Sequence, residues 1–322
     1  MQRRAMLTTA GLALAAPRPA AAQAWPARPI RIIVPFPPGG PNDIIARLYA
    51  PQLQAILGQG VVIENRGGGG GVVGTDAALK ASPDGYTFAI TNGGSLVITP
   101  HVSANMPYRV PDDMTLVSVV TLVPEALVAN PRLGVKTLAE LVALAKREPG
   151  RLNIGTAGAA GISHLAAELF RVQTGTDVVV VPYRGAAPAV TDIVAGQIGL
   201  LFADLPVILP QIRAGTLTAL AMASERRSPV LPDLPTTAEQ GFPGLLADNW
   251  YCMVAPPRLP EAILERMSAA LRTASETPAV RDALAAQGAQ AVWTAQAAFA
   301  EMVRVESAKW ERIARAANVR TD

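Results

Sequence analysis

The stretch that decides the fold reads PIRIIVPFPPGGPNDIIARL, from Pro29 to Leu48. Its first part, from Ile30 to Val34, is short, apolar and rich in β-branched residues, which is typical of a buried strand. Glycine and proline follow, and apolar residues then recur at helical spacing from Ile44 to Leu57. The stretch therefore predicts a strand, a glycine turn and a helix, the unit from which α/β folds are built.

The same unit recurs along the chain. Strand-like runs at 61–63, 87–90, 152–154, 178–181 and 200–202 alternate with helical patterns. This alternation predicts parallel sheets covered by helices. The continuous β-branched run from Val178 to Val181 predicts a buried parallel strand. The 322 residues are enough for two domains.

The N-terminus predicts a signal peptide over residues 1–24. Arg3 and Arg4 precede a short apolar run, and Ala22-Gln23-Ala24 fits a small-residue cleavage site. We therefore expect export to the periplasm by the twin-arginine or the Sec route, the alternative being a cytosolic N-terminal helix. Three of the 28 basic residues lie in this segment, so the remaining ones balance the 25 acidic residues. A neutral mature chain excludes nucleic acid as an expected partner.

Few residues are suited to catalysis or metal binding. The single cysteine, Cys252, lies in an apolar strand-like run and is interpreted as a small buried hydrophobe. With only His101 and His164 at unrelated positions, we expect no metal site and no cofactor. No Gly-x-Ser-x-Gly motif is present, so we expect no catalytic residues and no enzyme.

Three glycine turns each follow a predicted strand and precede a predicted helix. They span residues 35–43, 155–164 and 182–186. In open α/β sheets such turns line the ligand crevice. Glycine permits positive φ and close approach of the backbone, and a helix start offers free N–H donors and a partial positive charge. The turns therefore predict a site for a carboxylate or phosphate.

Motifs from Trp25 to the C-terminus carry a family resemblance. They are the Pro29–Gly40 stretch followed by Asp43 and Ala46-Arg47, then Glu64-Asn65-Arg66, Pro83-Asp84-Gly85-Tyr86-Thr87, His164-Leu165-Ala166, Val181-Pro182-Tyr183-Arg184-Gly185 and Leu231-Pro232-Asp233-Leu234-Pro235-Thr236. In this combination the chain resembles the solute receptors of tripartite tricarboxylate transporters, also called Bug receptors. The resemblance implies a type II periplasmic-binding-protein fold, with two α/β domains that close over a ligand cleft. It also implies a carboxylate ligand held by backbone amides and waters, and transporter membrane subunits as partners.

The chain departs from the family pattern at four places. Ala160-Gly161 stands where the family tends to have Gly-Ser, and the five glycines from Gly67 to Gly71 lead into Val72 rather than asparagine. Ala203 replaces the aspartate of a Phe-Asp pair, although Asp204 follows, and Gly199 replaces a further aspartate. The first three changes each predict the loss of a polar contact in the cleft.

The expected organisation is discontinuous. Domain 1 takes residues 25–123 and 247–322, and domain 2 takes residues 124–246. The protein is expected to be a monomeric receptor that binds a small organic acid without changing it. The expected ligand-binding residues are Phe36, Pro38, Gly39, Gly40, Asp43, Thr91, Asn92, Thr156, Gly158, Ala160, Gly161, His164, Tyr183, Gly185 and Asp204. Two alternatives stay open: a sensor that presents its ligand to a signalling protein, and a hydrolase that uses Ser163 or Asp43.

Overall fold

The computed structural model describes residues 25–320 and places them in two β-sheets with helices on their faces. The signal-peptide prediction falls on residues 1–24 and so lies outside the described residues. Within residues 25–320, no helix has the length and apolar character needed to cross a membrane.

The elements follow one another in the order that the strand and helix patterns predict. The first half of the chain contains β1 (Ile30–Val34), α1 (Pro41–Leu57), β2 (Val61–Asn65), α2 (Val72–Leu79), β3 (Thr87–Asn92), a π-helical turn (Gly94–Ile98), α3 (Thr99–Val102), β4 (Thr115–Val123), β5 (Glu125–Ala129), α4 (Leu138–Arg147) and β6 (Asn153–Thr156). The second half contains α5 (Ile162–Thr174), β7 (Val179–Pro182), α6 (Ala186–Ala195), β8 (Leu200–Asp204), α7 (Leu205–Arg213), β9 (Thr218–Met222), β10 (Asn249–Ala255), α8 (Glu261–Glu276), α9 (Pro278–Ala285), β11 (Gln290–Ala291) and α10 (Gln296–Ala316).

Both sheets are mixed, whereas the sequence pattern predicts parallel ones. The first sheet has the order β11-β4-β10-β3-β1-β2, and the second has the order β7-β6-β8-β5-β9. Strands β1, β2 and β3 are parallel, as are β6, β7 and β8. The reversed strands are β10 and β11 in the first sheet and β5 in the second: β10 is antiparallel to β3 and β4, β11 to β4, and β5 to β8 and β9. Parallel neighbours need a long crossover connection, and these strands are not joined in that way.

The chain passes between the two sheets twice. Strand β4 ends at Val123 and β5 begins at Glu125, so Pro124 alone forms the first passage. The return passage lies between β9 and β10, before Asn249. We propose the domain division 25–123 with 247–322 and 124–246, because each part then contains one complete sheet.

Helix α1 shows how the opening stretch directs its own fold. Pro41 occupies its first turn, where a missing N–H costs nothing. The helix ends at Gly58, whose φ of 71° is the left-handed conformation that glycine adopts without penalty. Its Tyr49 is fully buried and donates a hydrogen bond of 2.6 Å to the carbonyl of Val120 in β4. This helix is therefore fixed on the first sheet, and its N-terminus is held at the end of β1.

The core confirms the interpretation of Cys252 and corrects that of β7. Cys252 is fully buried, in the same core as Trp250, which meets Phe299 of α10 edge-on at 5.7 Å. Strand β7 lies at the edge of the second sheet, and Val179 is 48% exposed. The prediction of a buried strand was wrong there, because β-branched residues suit edge and central strands alike.

Candidate functional site

The first glycine turn is closed by Asp43. Gly39 has a φ of +81°, and its N–H donates to Asp43 Oδ2 at 2.9 Å. The same carboxylate accepts from Arg47 Nε at 3.0 Å and from Asn65 Nδ2 at 2.9 Å. Burial raises the pKa of Asp43, but the hydrogen bonds from Arg47, Gly39 and Asn65 outweigh burial and leave this pKa below its ordinary value. Asp43 is therefore ionised, and its oxygens are engaged in shaping the turn.

The second glycine turn is closed in the same way by His164. Ala160 has a φ of +57°, and its N–H donates to His164 Nδ1 at 3.1 Å. This nitrogen must be unprotonated to accept the bond, so Nε2, which lies 3.8 Å from Glu168 Oε1, carries the hydrogen. Burial lowers the pKa of His164. The ring is therefore neutral and positions the backbone of the turn.

Three helices begin at glycines that provide no side-chain cap. Gly40, Gly161 and Gly185 are the N-cap residues of α1, α5 and α6, and none of the three helix starts has a side-chain cap hydrogen bond. The first N–H groups of a helix have no acceptor within the helix. These groups and the helix dipole together favour an anion. The three starts are therefore the positions at which a carboxylate would find donors.

Two of these helix starts belong to different domains, and the segment from Asn92 to Gly94 contacts both of them. Asn92 Nδ2 donates to Oδ1 of Asn42, in the first turn of α1, at 3.3 Å. Its neighbour Gly94 lies against the start of α5: a Cβ on Gly94 would be 3.4 Å from Gly161 Cα and 3.6 Å from Ile162 N. The domains thus meet closely at this point, because the segment from Asn92 to Gly94 contacts the starts of both α1 and α5.

The glycine run from Gly67 to Gly71 covers the same region. The carbonyl of Gly70 accepts a 2.9 Å hydrogen bond from Ser95 Oγ. A Cβ on Gly70 would lie 3.8 Å from the carbonyl oxygen of Ala159, in the second turn. A Cβ on Gly71 would be 2.9 Å from Cζ of Phe36. The run therefore packs between Phe36 of one domain and the second glycine turn of the other.

The third turn is tied to the second. The N–H of Tyr183 donates to the carbonyl of Thr156 at 3.0 Å, and Thr156 Oγ1 donates to the carbonyl of Gly158 at 3.3 Å. The Tyr183 hydroxyl donates to Asp192 Oδ2 at 2.8 Å, and burial together with this carboxylate raises the pKa of Tyr183 to about 12. Its hydroxyl hydrogen is thus already committed to Asp192.

Two expected ligand residues have other surroundings. Thr91 is fully buried, and its Oγ1 lies 3.4 Å from Oγ1 of Thr75 in α2. Asp204 ends β8 and accepts a hydrogen bond from Asn249 Nδ2 at 3.0 Å and another from the Tyr251 hydroxyl. Both side chains therefore face partners within the protein, and their roles in ligand binding stay predictions.

Sequence reasoning did not single out Gly94 or Ser95, and it included Asn42 only as part of the first glycine turn. Ser95 donates through its N–H and its Oγ to Asn92 Oδ1, at 3.1 and 3.2 Å. A signal for these residues was present, because Asn92-Gly93-Gly94-Ser95 also follows a strand and precedes helical turns. The glycine run from Gly67 to Gly71 also has defined partners. Within residues 25–320, no three His, Cys, Asp or Glu residues are grouped so that they could hold a metal ion.

The fold and these helix starts define the class of solute-binding receptors with two α/β domains, and the comparisons place the chain within it. Residues 45–319 match the family described as "Tripartite tricarboxylate transporter family receptor". BugT of Bordetella pertussis is 38% identical over 96% of this chain and 94% of its own. The chain belongs to the tripartite tricarboxylate transporter receptor family.

Solved structures agree with this assignment. A structure described as a periplasmic transporter is 37% identical, with a TM-score of 0.88 over 93% of this chain and all of its own length. Rpa4515 of R. palustris, solved with adipate, is 33% identical, with a TM-score of 0.88 over 92% of this chain and 99% of its own. The predicted family and fold class are therefore confirmed.

Proposed function

We propose that this chain is a periplasmic receptor that binds a small carboxylate in the cleft between its two domains and delivers it to membrane subunits of a transporter. The observation that carries the proposal is the approach of two uncapped helix starts, since Asn92 donates to Asn42 in the first turn of α1 and Gly94 lies against Gly161 at the start of α5. A carboxylate between them would accept hydrogen bonds from N–H groups of both domains, and it would therefore favour the closed state. The adipate bound by Rpa4515 supports this ligand class.

The contacts proposed for the ligand are mainly backbone ones. Asp43 and His164 shape the turns, so the donors we assign are the N–H groups that follow Gly40, Gly161 and Gly185. Phe36 and the glycine run supply the apolar side of the cleft.

The groups considered for hydrolysis support a receptor over an enzyme. Ser163 Oγ accepts a 2.9 Å hydrogen bond from the N–H of Ala157, and His164 Nδ1 accepts one from Ala160. The Asp43 carboxylate is held by three donors. A nucleophile needs a base free to take its proton, and His164 uses its unprotonated nitrogen for the backbone. We therefore propose that the ligand leaves unchanged.

Calorimetry with a series of mono-, di- and tricarboxylates, beginning with adipate, tests the proposal. We expect at least one class of carboxylate to bind saturably. Small-angle scattering should then show a smaller radius of gyration for the saturated protein. Mass spectrometry of the recovered ligand should show an unaltered mass. Failure of every carboxylate to bind, or recovery of a cleaved product, would contradict the proposal. N-terminal sequencing of periplasmic protein should begin at Trp25, and a cytoplasmic chain that retains Met1 would contradict the proposed export.

A further inference from the structure

Two carboxyl groups face each other beside the first passage between the sheets. Glu125 begins β5 and Asp204 ends β8, and the two are directly opposed across the antiparallel pair. Glu125 is 2% exposed and Asp204 is 7% exposed. Directly opposed residues have Cβ atoms about 4.5–5.5 Å apart. The two groups therefore meet in a space from which water is largely excluded.

The two carboxyl groups differ in the donors that they receive. Asp204 accepts from Asn249 Nδ2, at 3.0 Å to Oδ1, and from the hydroxyl of Tyr251. Asn249 and Tyr251 belong to β10, in the other sheet, so Asp204 fastens the second sheet to the first. Glu125 Oε2 is buried and has no hydrogen-bond partner among the described residues. An ionised Glu125 would have lost its hydrogen bonds to water and gained none from the protein. An ionised Asp204, in contrast, keeps hydrogen bonds from Asn249 and Tyr251.

The charges around the pair do not neutralise it. The groups that act on Glu125 are Asp204 and Asp248, both acids. Asp248 faces Lys309 and Glu306 of α10 and also Glu225. Burial raises the pKa of Glu125 well above its ordinary value, and the charge of Asp204 adds to the rise.

Asp204 and Tyr251 complete the titratable groups of the cluster. Burial also raises the pKa of Asp204, although hydrogen bonds from Tyr251, Asn249 and a protonated Glu125 oppose the rise. Burial and the neighbouring carboxylate keep Tyr251 a neutral donor, since they raise the pKa of its hydroxyl well above the usual value.

We propose that Glu125 and Asp204 share one proton, which Glu125 donates to Asp204, and that this proton-bound pair is a pH-sensitive latch between the two sheets. Loss of the proton to solvent leaves two facing buried carboxylates. Their repulsion falls if β5 and β8 separate or if water enters, and either change loosens the passages on which domain closure depends. The latch needs no ligand, so it can be tested apart from carboxylate binding.

The direction of the pH effect follows from the raised carboxyl pKa values. An acid whose pKa is higher in the folded state stabilises the fold below its unfolded pKa, and this stability is lost as pH rises through the folded pKa. The unliganded mature protein should therefore show a Tm that falls as pH rises through the folded pKa of the pair. Glu125→Gln keeps the shape and a hydrogen-bond donor to Asp204 but cannot ionise, so it should largely abolish this fall.

Asp248→Asn is the matched control, because it removes a neighbouring acid whose pKa is raised to about 6 and which lies outside the pair. It should leave the fall that the pair causes in place. An unchanged fall in Glu125→Gln, or its disappearance in Asp248→Asn alone, would overturn the latch.

Infrared difference spectroscopy of the wild type gives a second measurement, which does not need a folded variant. A protonated carboxylic acid should show its carbonyl stretch at neutral pH, and the band should disappear over the same pH range as the fall in Tm. Absence of the band at neutral pH would overturn the shared proton.

Discussion

Asp43 and His164 occupy the same position in two equivalent turns. The turn with Asp43 follows a strand of the first sheet, and the turn with His164 follows a strand of the second. Each accepts the N–H of the residue four positions before it, at 2.9 Å from Gly39 and at 3.1 Å from Ala160. The donor residue is left-handed in both turns, and a glycine N-cap follows it. One turn uses an ionised carboxylate and the other a neutral imidazole, so the two should respond differently to substitution and to pH.

Replacement of Asp43 by alanine should destabilise the first domain. The change leaves Gly39 N–H and Asn65 Nδ2 without their acceptor. Loss of a hydrogen bond to a charged group costs about 1.5–3 kcal/mol. Urea unfolding should show this loss for Asp43→Ala and a smaller one for Asp43→Asn, which keeps an acceptor oxygen. Equal stability of Asp43→Ala and wild type would show that the turn does not depend on this carboxylate.

Protonation of His164 should weaken both stability and ligand binding at acid pH. Burial lowers the pKa of His164, so the unfolded chain binds this proton more readily than the folded one. The contribution of the neutral ring is complete above the unfolded pKa of about 6.5 and is lost as pH falls towards the folded pKa. His164→Asn retains an acceptor for Ala160 N–H without titrating. Calorimetry at several pH values should show less acid sensitivity for this variant, and an identical pH profile would contradict the assigned role.

Gly39 and Gly40 should respond differently to an added side chain. Gly39 has a φ of +81°, and left-handed backbone costs an L-residue about 1–2 kcal/mol, so Gly39→Ala should lower the free energy of unfolding. Ala160→Gly is the converse control, because it relieves the same conformation in the second turn. Gly40 has a φ of −79°, which any L-residue adopts, so a side chain at this position should cause no backbone strain.

Gly40→Val should therefore fold normally and still obstruct ligand approach to the start of α1. A Cβ there would lie 3.6 Å from the Pro37 carbonyl oxygen, an ordinary contact. Calorimetry should show binding abolished in Gly40→Val and only modestly weakened in Arg184→Ala, which removes an exposed guanidinium beside the third turn. The reverse result would show that the Arg184 side chain, rather than the backbone N–H groups, holds the ligand.

A large side chain at Gly94 should hold the domains apart. A Cβ at this position would be 3.4 Å from Gly161 Cα, so a methyl group fits with a small adjustment, whereas a leucine has no room. Scattering should show a larger radius of gyration for Gly94→Leu than for Gly94→Ala, with no further compaction on adding ligand. The melting of each variant reports whether the domains remain folded. A compact, ligand-responsive Gly94→Leu would show that the contact with Gly161 is not required for closure.

The strand–turn–helix units could be predicted because each is encoded locally. Ile30 to Val34 form β1 as predicted, and Gly196 ends α6 in the left-handed conformation expected of a terminal glycine. The orientation of side chains at the turns could not be predicted in this way. Asp43 and His164 carry groups that suit a ligand, but each accepts a backbone N–H instead. Local sequence does not show whether such a side chain will contact the ligand or will accept a backbone N–H of its own turn.

The sequence by itself determined the family, the order of strands and helices, and the glycine turns at helix starts, because strand and helix periodicity, turn chemistry and capping act over a few residues. Only the tertiary structure decided that Asn92 meets Asn42 and that Glu125 faces Asp204. These pairs are 50 and 79 positions apart in the sequence. Their contact depends on which strands become neighbours within each sheet and on the register of those strands, and packing of the whole core sets both.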